Sequence, residues 1–448
     1  MKNDLTKGNV LSLILEFSLP FILSNFLQTF YGLADLFIIG HFNKAAEITA
    51  VSVGSQITHM LTVVIVGLSV GASVSLSHAV GAKSQKEMKK VMGNTLLIFA
   101  VFAVMLTVLL LLSTDGILSL LSVPARAFDS ARIYCLICFA GVPFITAYNV
   151  LSSIYRGLGD SKTPMYFVAA AGVINIILDW ILIGPFSMGT AGAALATVIS
   201  QAVSVIISAF ALFGKKGAVR LIRSDIAFER RIGTKILKIG IPVAVQEGFI
   251  QISFLVITVI ANRRGLETAA AVGIVEKIIS FLFLVPSAMM STVAMITAQN
   301  IGAGLYERGK QTLGYCIGIC LLIGSAVFVL TQFFGSDAVG LFVKDDPEVV
   351  RLGTQYFKAY ALDCALGGVQ FSFSGYFNAY QRSWITFMHN TLSILLVRIP
   401  GAWLASLYYP ENLFPMGLAA PLGSFLSIVI CVVCYRYMLK KGLTGGLS

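Results

Sequence analysis

Long stretches of this chain carry no charged residue: Ile48–Ala82, Val91–Thr114, Ile133–Tyr155, Trp180–Gly214 and Gln311–Ser336. A helix crosses a bilayer with roughly 20 apolar residues, so the longest of these stretches hold one crossing and part of a second. Barrel strands would show short runs alternating apolar and polar residues, and that pattern is missing. Only 12% of the 448 residues are charged and 57% are hydrophobic. A soluble protein is about 25% charged, so too little polar surface exists to cover a water-soluble fold of this size. Forty-one Gly, 12 Pro and 7 Cys fit neither a disordered, a collagen-like nor a disulfide-stapled chain. Asp4 and Glu16 interrupt the N-terminal stretch, which argues against a cleavable signal. The reading is an all-α polytopic membrane protein.

Cutting at polar or Gly/Pro turns gives twelve candidate spans, near 10–39, 50–80, 93–113, 130–156, 163–183, 190–213, 234–262, 270–300, 313–334, 349–380, 385–409 and 414–438. Lys and Arg then set the orientation, since they concentrate in cytoplasmic loops. One set of connections, with both termini, holds 22 of them, including Lys83, Lys86, Lys89, Lys90, Arg156, Lys162 and the cluster from Lys215 to Lys238; the alternate set holds 7. Twelve crossings with both termini cytoplasmic satisfy this count, in an inner or plasma membrane. The net charge of +11 thus follows from topology and anionic lipid headgroups, and implies no nucleic-acid partner.

The chain also repeats itself. At an offset of 222 residues, Phe17-Ser18-Leu19-Pro20 falls on Ile239-Gly240-Ile241-Pro242, and Ser153–Met165 falls on Gly375–Phe387; Val80-Gly81-Ala82 meets Ile301-Gly302-Ala303 at 221. Six spans per repeat is an even number, so the halves are parallel, an arrangement of transporters with the site between repeats. The expected organisation is an N-lobe over 1–214, a basic linker over 215–238 and a C-lobe over 239–448.

Enzyme signatures are missing. Gly157-Leu158-Gly159-Asp160-Ser161-Lys162-Thr163 has Ser161 where a phosphate loop requires Gly, and no strand precedes it. It reads as a turn, leaving no nucleotide site, so transport must run on an ion gradient. Cys135/Cys138 and Cys431/Cys434 lie inside apolar stretches without partner ligands and read as small core side chains. No local motif argues for catalysis and no cofactor is expected.

Ionisable residues inside membrane spans are the informative ones, because a charge at the bilayer centre costs about 2.5–3.5 kcal/mol on the lenient scale. They are Asp35, Asp179, Glu247, Glu276, Lys277, Lys358, Asp363 and Arg398. Asn175 and Asp179 are one helical turn apart and share a face. With Asp35, with Thr197 on the next span and with Tyr134, they offer carboxylate, amide and hydroxyl oxygens, which suit a proton or a hard cation such as Na+. The competing reading is a hydrogen-bonded cluster that pins helices together. Pro20, fifteen residues before Asp35, removes a backbone N–H and marks a bending point. In the second half Glu247 follows the matching Pro242, and Asp363 lies near Tyr360. Neutralisation by Lys277, Lys358 or Arg398 is the alternative there.

These residues resemble the multidrug and toxic compound extrusion (MATE) transporters over nearly the whole chain. The resemblance rests on Phe17-Ser18-Leu19-Pro20, on Tyr31, Asp35 and Gly40, on Gly67, Gly71-Ala72 and Gly81-Ala82, on Arg156–Pro164, and on Gly240-Ile241-Pro242. It implies two six-helix lobes forming a V-shaped cleft, and efflux of amphipathic cationic drugs by alternating access in exchange for H+ or Na+, by a monomer. Carried over, the family's N-lobe ion site matches Asp35, Tyr134, Asn175, Asp179 and Thr197, with Pro20 as the bend. The C-lobe site of another branch matches Glu247 and Asp363, but its tyrosine one turn before the acid is displaced: Ala359 stands there and Tyr360 is next to it. The first lobe is therefore the expected coupling site, and the second-lobe acids are expected to contact substrate or assist the ion. A flippase for lipid-linked oligosaccharides is the rival, although its anionic cargo would want a basic cavity.

Overall fold

In the computed structural model, which describes residues 4–43, 45–214, 222, 225–343 and 346–443, helices occupy every one of the twelve expected positions and no strand occurs among the described residues. The first half contains α1 (Val10–Phe42), α2 (Ala45–Gly81), α3 (Gln85–Leu120), α4 (Ala125–Ala140), α5 (Val142–Gly157), α6 (Lys162–Ile183) and α7 (Gly189–Phe213). The second contains α8 (Arg230–Asn262), α9 (Leu266–Leu282), α10 (Leu284–Gly302), α11 (Tyr306–Gly340), α12 (Pro347–Tyr360), α13 (Asp363–Ala379), α14 (Ser383–Ser393), α15 (Ile399–Tyr408), α16 (Phe414–Gly417) and α17 (Ala419–Lys440), with a π-turn over Ile394–Arg398. Lys215, Lys216, Arg220 and Arg223 of the expected basic linker lie outside the described residues.

Helix starts follow local chemistry. Ser84 caps α3 by accepting the Glu87 N–H at 3.3 Å, as a Ser followed three places on by Glu favours. Asp346 caps α12 through the amides of Glu348 and Val349, with Pro347 at the first helical position, where its missing N–H costs nothing.

Ten helical runs are long and apolar enough to cross a membrane, and α4 with α5, bent by 49°, makes an eleventh. The segment expected to span 349–380 departs from a continuous apolar helix. It breaks at Ala361–Leu362 into α12 and α13, and α12 carries Glu348, Arg351 and Lys358, too many charges for a simple span. The α4–α5 break at Gly141 lies one repeat length earlier, so the fourth span of each half is broken at matching places. Apolar side chains turn outward, as a lipid solvent requires: on α3, Val104, Met105, Leu109 and Leu112 are all more than half exposed.

The chain divides into two compact units, one formed by residues 1–4 and 19–240, the other by 5–18 and 241–448. The crossing points, between Ser18 and Leu19 and between Gly240 and Ile241, are again 222 residues apart, each just before a proline. Both helices nonetheless run on through Pro20 and Pro242. The residues from Leu5 to Ser18 therefore pack with the second unit: Asn300 on α10 donates to the Leu5 carbonyl at 3.2 Å, and Arg308 on α11 to that of Gly8 at 3.1 Å. In the first unit, Asn94 on α3 binds both the Ala227 carbonyl and the Glu229 amide, at 3.1 and 2.9 Å, and Lys90 reaches the Glu229 carboxylate at 2.6 Å.

Candidate ion-coupling site

In the first unit α1 brings Asp35 against α6, where Asn175 and Asp179 occupy successive turns of one buried face. All three are almost wholly removed from solvent, Asp179 completely so. The Asp35 carboxyl comes within hydrogen-bonding reach of both α6 residues. Among the described residues, Asp35 Oδ1, both Asp179 oxygens and both polar atoms of the Asn175 amide have no partner of regular hydrogen-bond geometry while both carboxyls are ionised. Buried polar groups are nearly always satisfied, and a proton shared between the two carboxyls or a bound cation would satisfy these. Carboxylate and amide oxygens are ligands that a hard monovalent cation accepts, and either carboxylate can equally take a proton.

The remaining expected residues divide. Tyr134 on α4 is buried beside Asp35, and its hydroxyl lies 3.1 Å from that of Ser55 on α2. Its ring occupies the space over Gly54, where any Cβ would fall 2.2 Å from a ring carbon. Thr197 is only half-buried and donates to the Ala193 carbonyl of its own helix at 3.1 Å, which leaves its oxygen lone pairs as what it could offer a cation. Pro20 lies within α1, its carbonyl accepting from the Ser24 hydroxyl at 2.8 Å. Cys135 and Cys138 pack into separate apolar clusters.

In the second unit the structure gathers a different set from the one expected. Arg398, in the π-turn, donates to the Tyr360 hydroxyl at 2.7 Å and stacks over Phe254, 4.6 Å from the ring centre. Asp363, at the start of α13, and Glu276, on α9, both feel this guanidinium. Each nevertheless keeps one carboxylate oxygen unpaired. Of the three bases that could neutralise these acids, Arg398 acts on both and Lys277 acts on Glu276 as well. Glu247 on α8 is half-buried with no charged group acting on it among the described residues, so it stands apart from Tyr360 and Asp363. With Arg398 acting on both acids and Lys277 on one, this cluster is less negative per carboxylate than the Asp35–Asp179 pair. Glu276 and Arg398 were visible as intramembrane charges, but only the fold brings them together.

The MatE family profile matches residues 20–181 and again 242–404. The chain belongs to the MatE family. The two matches begin one repeat length apart, at Pro20 and Pro242, and together cover most of the chain. Like other MatE members it is a multi-pass transporter and not an enzyme. Among relatives, a probable multidrug resistance protein, YpnP, of Bacillus subtilis is 29% identical over 97% of this chain and 96% of its own length. An FAD transporter of Shewanella oneidensis is 26% identical, over 96% and 95%. A crystal structure of MATE in the bent conformation superimposes with a TM-score of 0.92 at 21% identity, covering 99% of this chain and 98% of that one. MatE neighbours of this kind are built as two repeats of six spans, the fold class the sequence implies.

Proposed function

We propose that this MatE member is a secondary multidrug exporter that exchanges an amphipathic cationic compound for H+ or Na+ by alternating access. The observation that carries the reading is the Asp35–Asn175–Asp179 cluster, buried with its oxygens unpaired. Two carboxylates side by side in dry surroundings repel each other, and a proton or a cation between them relieves the repulsion. The unloaded, negative cluster favours a cationic drug, and the loaded, neutral one releases it. Coupling follows because ion and drug each stabilise a different conformation. Pro20, where α1 lacks a backbone N–H, is the bending point through which loading acts.

The multidrug relatives favour this reading over a lipid-linked oligosaccharide flippase, and the excess of intramembrane acids over bases suits cationic cargo. The distribution of Lys and Arg supports a cytoplasmic placement of both termini and of residues 225–238, and the reading is of a monomer in the inner membrane. The test is transport of a fluorescent cation such as ethidium in proteoliposomes, with a pH and a Na+ gradient imposed separately. Uphill movement driven by either gradient supports ion-coupled export, and movement driven by neither contradicts it.

A further inference from the structure

On α1 the residues Ser24, Asn25, Gln28, Tyr31 and Asp35 recur at three- and four-residue steps and so share one face. The opposite face, with Leu23, Phe30 and Phe37, is exposed and apolar. Along α5, Tyr148, Ser152 and Arg156 are spaced by single turns. Between these rows lies a cavity of about 20 Å³, lined by Ser24, Asn25, Gln28, Tyr148, Ser152 and Arg156 and reaching Ser161 just ahead of α6. That is room for about one water molecule beside several polar partners. The Tyr148 hydroxyl lies within hydrogen-bonding reach of Gln28 and Ser152, and Tyr31, one turn before Asp35 on the same face of α1, interacts electrostatically with both Tyr148 and Asp35. A polar seam thus runs within the first unit from Asp35 to the turn after α5, over some 20 Å of helix at 1.5 Å per residue.

Arg156 stands at the far end of this seam. Its guanidinium lies 5.2 Å from the centre of the Phe21 ring, and among the described residues no carboxylate pairs with it. The ring stabilises the positive charge without cancelling it.

We propose that this seam is the cytoplasmic access route by which the coupling cation, H+ or Na+, reaches and leaves Asp35 and Asp179, with Arg156 a positioning residue at its mouth. Hydroxyl and amide groups with a bridging water can relay a proton or replace part of a Na+ hydration shell. Such a route without a barrier would dissipate the gradient, and a fixed positive charge at a polar constriction supplies one. The seam rests on the reading of Asp35 and Asp179 as the ion site, and the tests below separate the two.

X-ray hydroxyl-radical footprinting of the purified full-length protein compares Tyr148 with Tyr155, a buried neighbour on the same helix whose hydroxyl is taken up by the Ser208 carbonyl at 3.2 Å. Tyr148 is expected to be oxidised several times faster; equal rates mean a dry seam and overturn the proposal. In drug-free proteoliposomes Arg156→Gln is expected to raise passive leak of the imposed cation about tenfold, the effect of one charge at ~10 Å and an effective dielectric of ~20. Arg156→Lys is expected to stay near wild type, and leak unchanged by Arg156→Gln overturns the barrier. Loss of coupling in Asp35→Asn with Tyr148 no more reactive than Tyr155 would remove the seam alone. Unimpaired coupling in Asp35→Asn would remove the ion site and the seam with it.

Discussion

The two charged clusters differ in what balances them, and their variants should differ accordingly. Removing Arg398 leaves Asp363 without the base that acts on it and Glu276 with Lys277 alone. Uncompensating a buried charge typically costs about 3–5 kcal/mol. Arg398→Ala is therefore expected to lower the thermal unfolding midpoint in detergent markedly, with Arg398→Lys losing less because a charge remains. Glu247 has no such entanglement: Glu247→Gln should leave the midpoint unchanged and alter drug preference more than ion coupling, read from efflux of several drugs at matched expression. Gradient-driven transport lost for every drug in Glu247→Gln, and kept in Asp179→Asn, would reverse this division of labour. Asn175 and Asp179 were legible as one face because spacing along a helix fixes it, whereas the sequence marked Asp35 only as an intramembrane acid and its place beside them depends on how α1 meets α6. The grouping around Arg398 was not, because it depends on which helices meet and on a π-turn that no local residue signals. Thr197 illustrates the same limit, since spacing cannot say that its hydroxyl turns to its own backbone.

At the scale of elements, small residues decide where helices touch. A Cβ at Gly71 on α2 would fall 2.1 Å from the Ile236 carbonyl oxygen, and one at Gly240 2.2 Å from that of Leu68. Gly240→Val is expected to cost at least the roughly 1–3 kcal/mol of overpacking, seen as a lowered midpoint or loss of folded yield. Among the contacts that hold the stretch before α8 to α3, two differ in strength. Lys90, then Arg231, hold the Glu229 carboxyl below its usual range. A lowered value means this contribution is complete above the unfolded pKa, about 4.3 for Glu, and fades as pH falls through the folded one. The pair is part-exposed, so its loss should matter little, whereas Asn94 is fully buried and binds two backbone groups. Hydrogen exchange over 225–229 should thus rise strongly in Asn94→Ala and only slightly in Glu229→Gln. The reverse order would contradict this. Helix positions were legible from charge-free runs, but the break at Ala361–Leu362 was not, for no Gly or Pro marks it.

At the scale of the whole molecule, one spacing of 222 residues relates the sequence repeat, the two family matches, the two prolines and the points where the chain passes from one unit to the other. The sequence showed the repeat, but it placed residues 5–18 with the first half, because only packing reveals that Asn300 and Arg308 hold them in the second unit. Even numbers of spans per repeat, with Lys and Arg concentrated on the side of the termini, predict that a cysteine introduced within 225–229 is labelled from the cytoplasmic side alone; labelling only from outside would invert the topology. The central claim is that Asp35 and Asp179 couple the ion gradient to export. It is tested most directly by Asp35→Asn and Asp179→Asn, purified and reconstituted at matched density, with gradient-driven uphill transport of a fluorescent cation compared with its downhill exchange. The account predicts that both variants insert and exchange drug downhill but lose uphill transport by about tenfold or more, the change that 1.4 kcal/mol of lost coupling brings. Uphill rates near wild type in both would contradict it and leave the two carboxylates as pins between α1 and α6.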